Sequence, residues 1–174
     1  MYCKYDNETK KCLEVGTGTN TEFYKSIGME DLEVEKAYDG SYWLKGYTPT
    51  KPLSELKSDK LSELSTKASS FEQTENKEMY IISSLGYKVN ADPKALRNIE
   101  VLIELGVTQF RNYDNENVEV TTDNLKTIKS EIGINSVKLY QQKWAMQDLI
   151  NKAETIEELN SIEIKFTMMD FTNE

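Results

Sequence analysis

The side chains of this chain that could do chemistry are carboxylates, lysines, tyrosines and two cysteines, because none of its 174 residues is histidine. Without an imidazole there is no side chain that titrates near neutral pH at its ordinary pKa, and the commonest metal ligand is missing. Ser-His-Asp and Cys-His nucleophile systems are excluded. A zinc site would need four sulfur or carboxylate ligands, and Cys3 and Cys12 are the only thiols. Carboxylate, lysine or tyrosine catalysis stays chemically open, but no two acids stand out as an acid/base couple. The expectation is a protein that is not an enzyme and carries no cofactor or metal.

Cys3 and Cys12 flank a polar stretch with a turn at Asp6 to Thr9. A hairpin centred there sets position 3 opposite position 12, within disulfide reach if the pair is of the closely spaced kind. Two reduced thiols and an incidental cross-strand bridge both fit that spacing. Neither a CxxC pair nor a histidine gives the thiols a catalytic role.

Three stretches have the look of ligand loops and fail on composition. Gly86 to Asp92 lies between an extended piece and a helix, but it lacks GxxxxGK[ST] and GxGxxG. Pro93 also deletes an amide donor where a phosphate would sit. Gly16-Thr-Gly-Thr19 has no following lysine and opens only a short helix. Asp114-Asn-Glu-Asn117 lacks the sixth-position glycine and twelfth-position glutamate of an EF-hand, and Asp-Asn is ordinary turn chemistry.

The elements that position these residues can be read from periodicity and punctuation. Met1 to Tyr5 and Lys11 to Val15 form a hairpin. Asn20 or Thr21 caps a short helix that Gly28 ends. Leu32 to Tyr38 and Ser41 to Lys45 form a second hairpin about Asp39-Gly40. Pro49 and Pro52 make an extended connector. A helix runs from 53 to about 76, with Leu61, Leu64, Ala68 and Phe71 on one face and Leu53 and Leu56 out of that register. It either packs on its own domain or self-associates; two heptads are too few for a coiled coil. The polar run Glu72 to Glu78 breaks it.

Beyond it, Met79 to Ser84 and Tyr87 to Val89 are extended. Asp92 caps a helix with Pro93 at its first position, a stripe of Leu96, Ile99, Leu102 and Ile103, and Gly106 at its end. Val107 to Tyr113 and Asn117 to Val120 pair about Asp114 to Glu116. Thr121 or Thr122 opens a long helix with one apolar stripe of Leu125, Ile128 and Ile132. A second stripe holds Val137, Tyr140 and Trp144, and Gly133 between the two could kink the axis. Thr155 to Glu158 is a capping box, and the apolar tail Phe166 to Phe171 docks on the core. The fold class expected is α+β: a β-hairpin-rich unit over 1–50, a connector over 51–78, and a helical unit with short antiparallel strands over 79–174.

A hydrophobic share of 38% beside 29% charged residues suits a globular chain. No apolar run nears the roughly twenty residues of a membrane span, and the N-terminus does not read as a secretory signal. The formal charge of −9 is repelled by phosphate backbones, so nucleic acid is not an expected partner. The densest acidic run, Glu30-Asp-Leu-Glu-Val-Glu35, reads either as an exposed strand edge or as a patch for a basic partner. Tyr38, Tyr42, Trp43 and Tyr47 cluster on the second hairpin. Alternation sends Tyr42 and Leu44 to one face and Trp43 to the other, so a large aromatic lies outside the local core. It either packs on the connector helix or anchors a protein interface, where Tyr and Trp are enriched. Tyr42, Trp43, Tyr47, Leu61, Leu64 and Phe71 are the candidate interface residues.

Tyr38-Asp-Gly-Ser-Tyr-Trp-Leu-Lys-Gly-Tyr-Thr-Pro49 resembles a segment near the start of many small bacteriophage and prophage tail proteins. Ser83-Ser-Leu-Gly-Tyr-Lys-Val-Asn-Ala-Asp92, followed by Arg97-Asn-Ile99, is similar to the start of a C-terminal domain of unknown function in phage tail appendage and tail-fibre-related proteins. Phe110 to Asn115, Thr121 with Leu125, Leu139 to Trp144 and Ala153 to Leu159 follow in the same order. Phe110 stands where many members carry tryptophan. The resemblance spans roughly residues 33–50 and 79–166 and transfers no catalytic residue. It implies a tail appendage or baseplate component, or a fibre-assembly chaperone, located in the virion tail or, during assembly, in the host cytoplasm. Its partners would be a tail or fibre protein and further copies of itself, as a dimer or trimer. The alternative is an acidic phage-encoded inhibitor of a host defence protein such as a nuclease.

Overall fold

Between Tyr5 and Cys12 the chain turns on Asp6, whose carboxylate accepts the backbone N–H groups of Glu8 and Thr9 and the Thr9 hydroxyl at 2.7–3.0 Å. This turn joins β1 (Tyr2–Tyr5) to β2 (Cys12–Gly16) in the computed structural model, which describes residues 1–73 and 77–173. The protein is α+β. It divides into two units, Met1–Glu55 and Leu56–Glu174.

In the first unit β1 is the centre of an antiparallel sheet ordered β2-β1-β3, with β3 at Glu30–Asp31. The register corrects the expected cysteine pairing. Cys3 lies opposite Val15 and Cys12 opposite Tyr5, because the ladder shifts between Lys4 and Tyr5. The turn itself is two residues longer than sequence signals indicate, with Lys10 at a positive φ of 65°, and the shift adds one more. After β2, helix α1 (Thr21–Ser26) is capped by the Asn20 side chain. Its Tyr24 ring stacks on Tyr2, centroids 5.1 Å apart. A Cβ at Gly16 would stand 2.3 Å from that ring, and the Gly18 amide donates to the Tyr24 hydroxyl. The Gly16-Thr-Gly segment is thus a bed for an aromatic ring. The unit ends in the hairpin β4 (Val34–Lys36) and β5 (Tyr42–Leu44).

The second unit includes most of α2 (Leu53–Ser70). Leu64 is buried in it, and the Lys57 and Lys67 ammonium groups donate to the carbonyls of Asn151 and Ile164. The helix stops at Ser70, short of the expected 76. Part of the polar run expected to break it, residues 74–76, lies outside the described residues.

Two hairpins follow, β6 (Tyr80–Ile82) with β7 (Lys88–Asn90), and β8 (Gln109–Arg111) with β9 (Asn117–Glu119). Between them α3 (Pro93–Glu104) starts at Asp92, whose carboxylate accepts the N–H groups of Lys94 and Ala95. It ends in a Schellman turn, with Gly106 N–H on Ile103 and Val107 N–H on Leu102. The two hairpins are joined by Tyr113 N–H to the Lys88 carbonyl. The Lys88 ammonium lies 3.8 Å from the Tyr80 ring centre and 4.0 Å from that of Tyr113.

Helix α4 (Thr122–Lys152) runs unbroken through Gly133, opened by a capping box of Thr121 and Asn124. Leu125, Ile128 and Ile132 are fully buried against Ile81, Ile99 and Phe110. Each such side chain contributes about 1.5–3 kcal/mol of burial. The second expected stripe is corrected by the structure: Val137, Tyr140 and Trp144 are exposed, and Leu139, Met146 and Ile150 are buried in their place. Leu139 packs with Phe71, Met79 and Phe166 in a smaller cluster. Helix α5 (Ile156–Ser161) starts at Thr155. The Thr155 hydroxyl accepts the Glu158 N–H as a capping box requires, but the Glu158 carboxylate reaches back to the Glu154 N–H rather than to that of Thr155. The tail docks as expected: Phe171 is buried and Ile82 N–H donates to the Met169 carbonyl.

Candidate protein-binding surface

The aromatic hairpin lies wholly in the first unit. Ala37 and Ser41 close its loop, the Ala37 N–H donating to the Ser41 carbonyl at 2.7 Å. Gly40 adopts φ 84°, the left-handed conformation that ends a type I turn in a hairpin of this length. Asp39 fastens the loop by accepting the Ser41 hydroxyl and N–H, and these bonds hold its carboxyl below the ordinary aspartate value.

Tyr38 at the tip and Tyr47 at the exit are 46% and 57% exposed. Tyr42 and Trp43 are half-buried on opposite faces of β5. The Trp43 indole N–H donates to the Ser41 hydroxyl at 2.7 Å. Lys11 bridges to the Trp43 backbone and lies 5.9 Å from its ring centre, and Lys36 stands equally far from the Tyr42 ring. Trp43 is therefore shielded by side chains of its own unit. The freest aromatic surface is that of Tyr38 and Tyr47. Tyr38 was not among the interface residues expected from the sequence; its place at a three-residue turn tip was the available signal.

Leu61, Leu64 and Phe71 lie in the second unit. Leu61 is half-buried, Leu64 fully buried, and the Phe71 ring meets the Phe166 ring edge-on at 4.9 Å. The helix stripe is spent on the internal packing of the second unit. A self-associating α2 would have to strip Leu64 and Phe71 from that core, at about 2–5 kcal/mol each.

The acidic run is exposed, and three of its four acids have a partner. Asp31 pairs with the N-terminal ammonium at 3.0 Å and Glu33 with Lys45 at 2.7 Å, and Glu35 accepts the Thr48 hydroxyl. Cys3 and Cys12 are both buried and unbridged. Burial, then hydrogen bonding to Cys12, pushes the Cys3 thiol up to about 11.

Two features of the second unit escaped the sequence. A cavity of about 170 Å³ lies among Phe71, Met79, Leu96, Ile132, Leu139 and Phe166, with the Tyr140 hydroxyl donating to Glu72 at its rim. It has room for one ring or a short alkyl chain. Glu131 is buried on α4; one oxygen accepts the N–H and hydroxyl of Ser84, and the other has no hydrogen-bond partner. Among the described residues no cluster of three or more cysteines and acids could hold a metal ion. No described helix is long and apolar enough to cross a membrane.

Comparison with protein-family models, curated proteins and solved structures returns no match.

Proposed function

We propose that this chain is a non-enzymatic phage tail accessory protein, an appendage or baseplate component or a chaperone of tail-fibre assembly, that works through protein–protein contacts. The observation that carries this reading is the β4–β5 hairpin. Its pinned loop offers the Tyr38 ring to solvent at low conformational cost, and the turn at its exit offers the Tyr47 ring, which is the composition of interface anchors. The resemblance of residues 38–49 and of the stretches within 79–166 to tail proteins supplies the partner class. The alternative of an acidic inhibitor would use Glu30 to Glu35, where Asp31 and Glu33 are in exposed ion pairs that a basic partner can displace.

The test is co-purification of the full chain with the tail, fibre and baseplate proteins encoded beside it, and in parallel with host lysate. A tail protein is expected to be retained, and Tyr38→Ala with Tyr47→Ala to weaken retention roughly thirtyfold or more, as loss of a hot spot of ~2 kcal/mol does. A host nuclease as the main partner, or retention indifferent to the tyrosines, overturns the reading.

A further inference from the structure

The cavity beside the C-terminal end of α2 lies where two apolar clusters of the second unit fail to meet. Phe71, Met79, Leu139 and Phe166 belong to the smaller cluster, and Leu96 and Ile132 to the main core. Every residue that lines it belongs to Leu56–Glu174. Its volume of about 170 Å³ is well above that of a single water, and protein cores leave few voids larger than that. The walls are chiefly hydrocarbon and ring, so a water inside would find too few polar partners to be held. An apolar guest would instead complete the packing of both clusters and recover the dispersion contacts that a void forfeits.

The mouth indicates the other end of the guest. Glu72 and Tyr140 are exposed residues of the lining, and Lys143 stands half-buried one turn along α4 from Tyr140. The polar groups of the wall other than Lys143 are in use. The Tyr140 hydroxyl donates to Glu72, and the Ser136 hydroxyl to the Ile132 carbonyl. Asp92 accepts the N–H groups of Lys94 and Ala95 as the cap of α3. Among the described residues the Lys143 ammonium has no hydrogen-bond or ion-pair partner. Free ammonium donors at the mouth of an apolar cavity suit a guest with an anionic head and an apolar tail. Glu72 and Asp92 face the same cavity, so the head that suits it carries a single negative charge and not the two of a phosphate monoester.

We propose that this cavity is a binding site for a small amphipathic acid, a monocarboxylate carrying one ring or a short alkyl chain, with its carboxylate on Lys143. The site is separate from the aromatic hairpin, and the proposal stands apart from the tail-protein reading.

The test is isothermal titration calorimetry of the full chain with hexanoate and benzoate. Hexanol and hexylamine, which carry a like chain on a neutral and a cationic head, are titrated beside them. The carboxylates are expected to bind with a dissociation constant of about 1 mM or tighter and to raise the melting temperature. Hexanol should bind about tenfold more weakly than hexanoate, and hexylamine more weakly still. Lys143→Gln should weaken hexanoate about tenfold and leave hexanol unchanged, a split that a merely structural lysine would not produce. Ala68 lines the cavity, and Ala68→Leu puts an isobutyl group into it. That variant should bind none of the four probes, with a melting temperature no lower than that of the unaltered chain to check its fold. Five results each overturn the proposal: no binding of either carboxylate; hexanol or hexylamine binding as tightly as hexanoate; hexanoate indifferent to Lys143→Gln; hexanol weakened equally by it; or binding that survives in Ala68→Leu.

Discussion

Gln142 makes both bonds of a backbone ladder with its side chain: its amide nitrogen donates to the Thr167 carbonyl and its amide oxygen accepts the Thr167 N–H, each at 2.8 Å. Two turns earlier on α4, Asn135 accepts the Met169 N–H at 2.9 Å and points its nitrogen at the Met168 sulfur. Ile82 on β6 then donates to the Met169 carbonyl. The tail is thus held between β6 and a pair of helix amides. The two amides differ in burial, which decides their cost. Asn135 is fully buried, so Asn135→Ala leaves the Met169 N–H without a partner and should cost about 1–3 kcal/mol. Gln142 is near solvent, water replaces it, and Gln142→Ala should cost under about 1 kcal/mol. Urea unfolding of the two variants checks the order.

Three hairpins close with the same loop. In each, the first residue's N–H donates to the carbonyl of the fifth, and the fourth residue donates back to the first. The loops are Ala37–Ser41, Ser83–Tyr87 and Asn112–Glu116. The fourth residue has positive φ in all three: Gly40, Gly86 and Asn115. The β1–β2 turn puts Lys10 in the same region. A Cβ there costs roughly 1–2 kcal/mol, least for asparagine. Gly86→Ala should therefore lower stability by about 1–2 kcal/mol, and Lys10→Gly should raise that of the first unit by up to ~1 kcal/mol. Thermal melts of the two variants should move in opposite directions.

These loops also show what was legible in the sequence. Asp39-Gly40, and Asp92-Pro93 with Gly106, gave hairpin and helix ends correctly because cap and turn chemistry is local. Lys10 gave no such signal, so the cysteine register came out wrong. Val137, Tyr140 and Trp144 were legible as a face, but periodicity cannot say what covers a face. Asn135 gave no signal, because its partner, Met169, is distant in sequence. The cavity beside Phe71 needs α2, α3, α4 and the tail together, and no single stretch announces it.

Acid should loosen the first unit at its turns. Asp6 is held below the ordinary value of 3.8, first by the Thr9 N–H, then by the Thr9 hydroxyl and the Glu8 N–H. Asp39 is lowered likewise, first by the Ser41 hydroxyl and then by its N–H. A lowered folded-state pKa means stability that is fully present above the unfolded value and lost as pH falls through the folded one. The unit should hold its stability down to about pH 4 and lose this part below it. Asp6→Asn keeps an accepting oxygen without the titration and should flatten that acid limb, read as melting temperature against pH.

The buried thiols give the matching alkaline test. Cys3, raised from 9.0 to about 11 by burial and then by its bond to Cys12, holds its proton more tightly when folded. Its share of stability is present below pH 9 and is lost as pH rises from 9 towards 11. The thiolate is the reactive species, so at pH 8 the folded chain should react with iodoacetamide far more slowly at Cys3 than the unfolded chain does. Adding urea should release the reaction along the unfolding curve of Met1–Glu55. Cys3→Ser, as hydrogen-bonding but a poorer fit to an apolar site, should remove the alkaline limb at a cost in stability of about 1–3 kcal/mol. Prompt labelling of Cys3 in the folded chain at pH 8 would show instead that β1 opens without global unfolding.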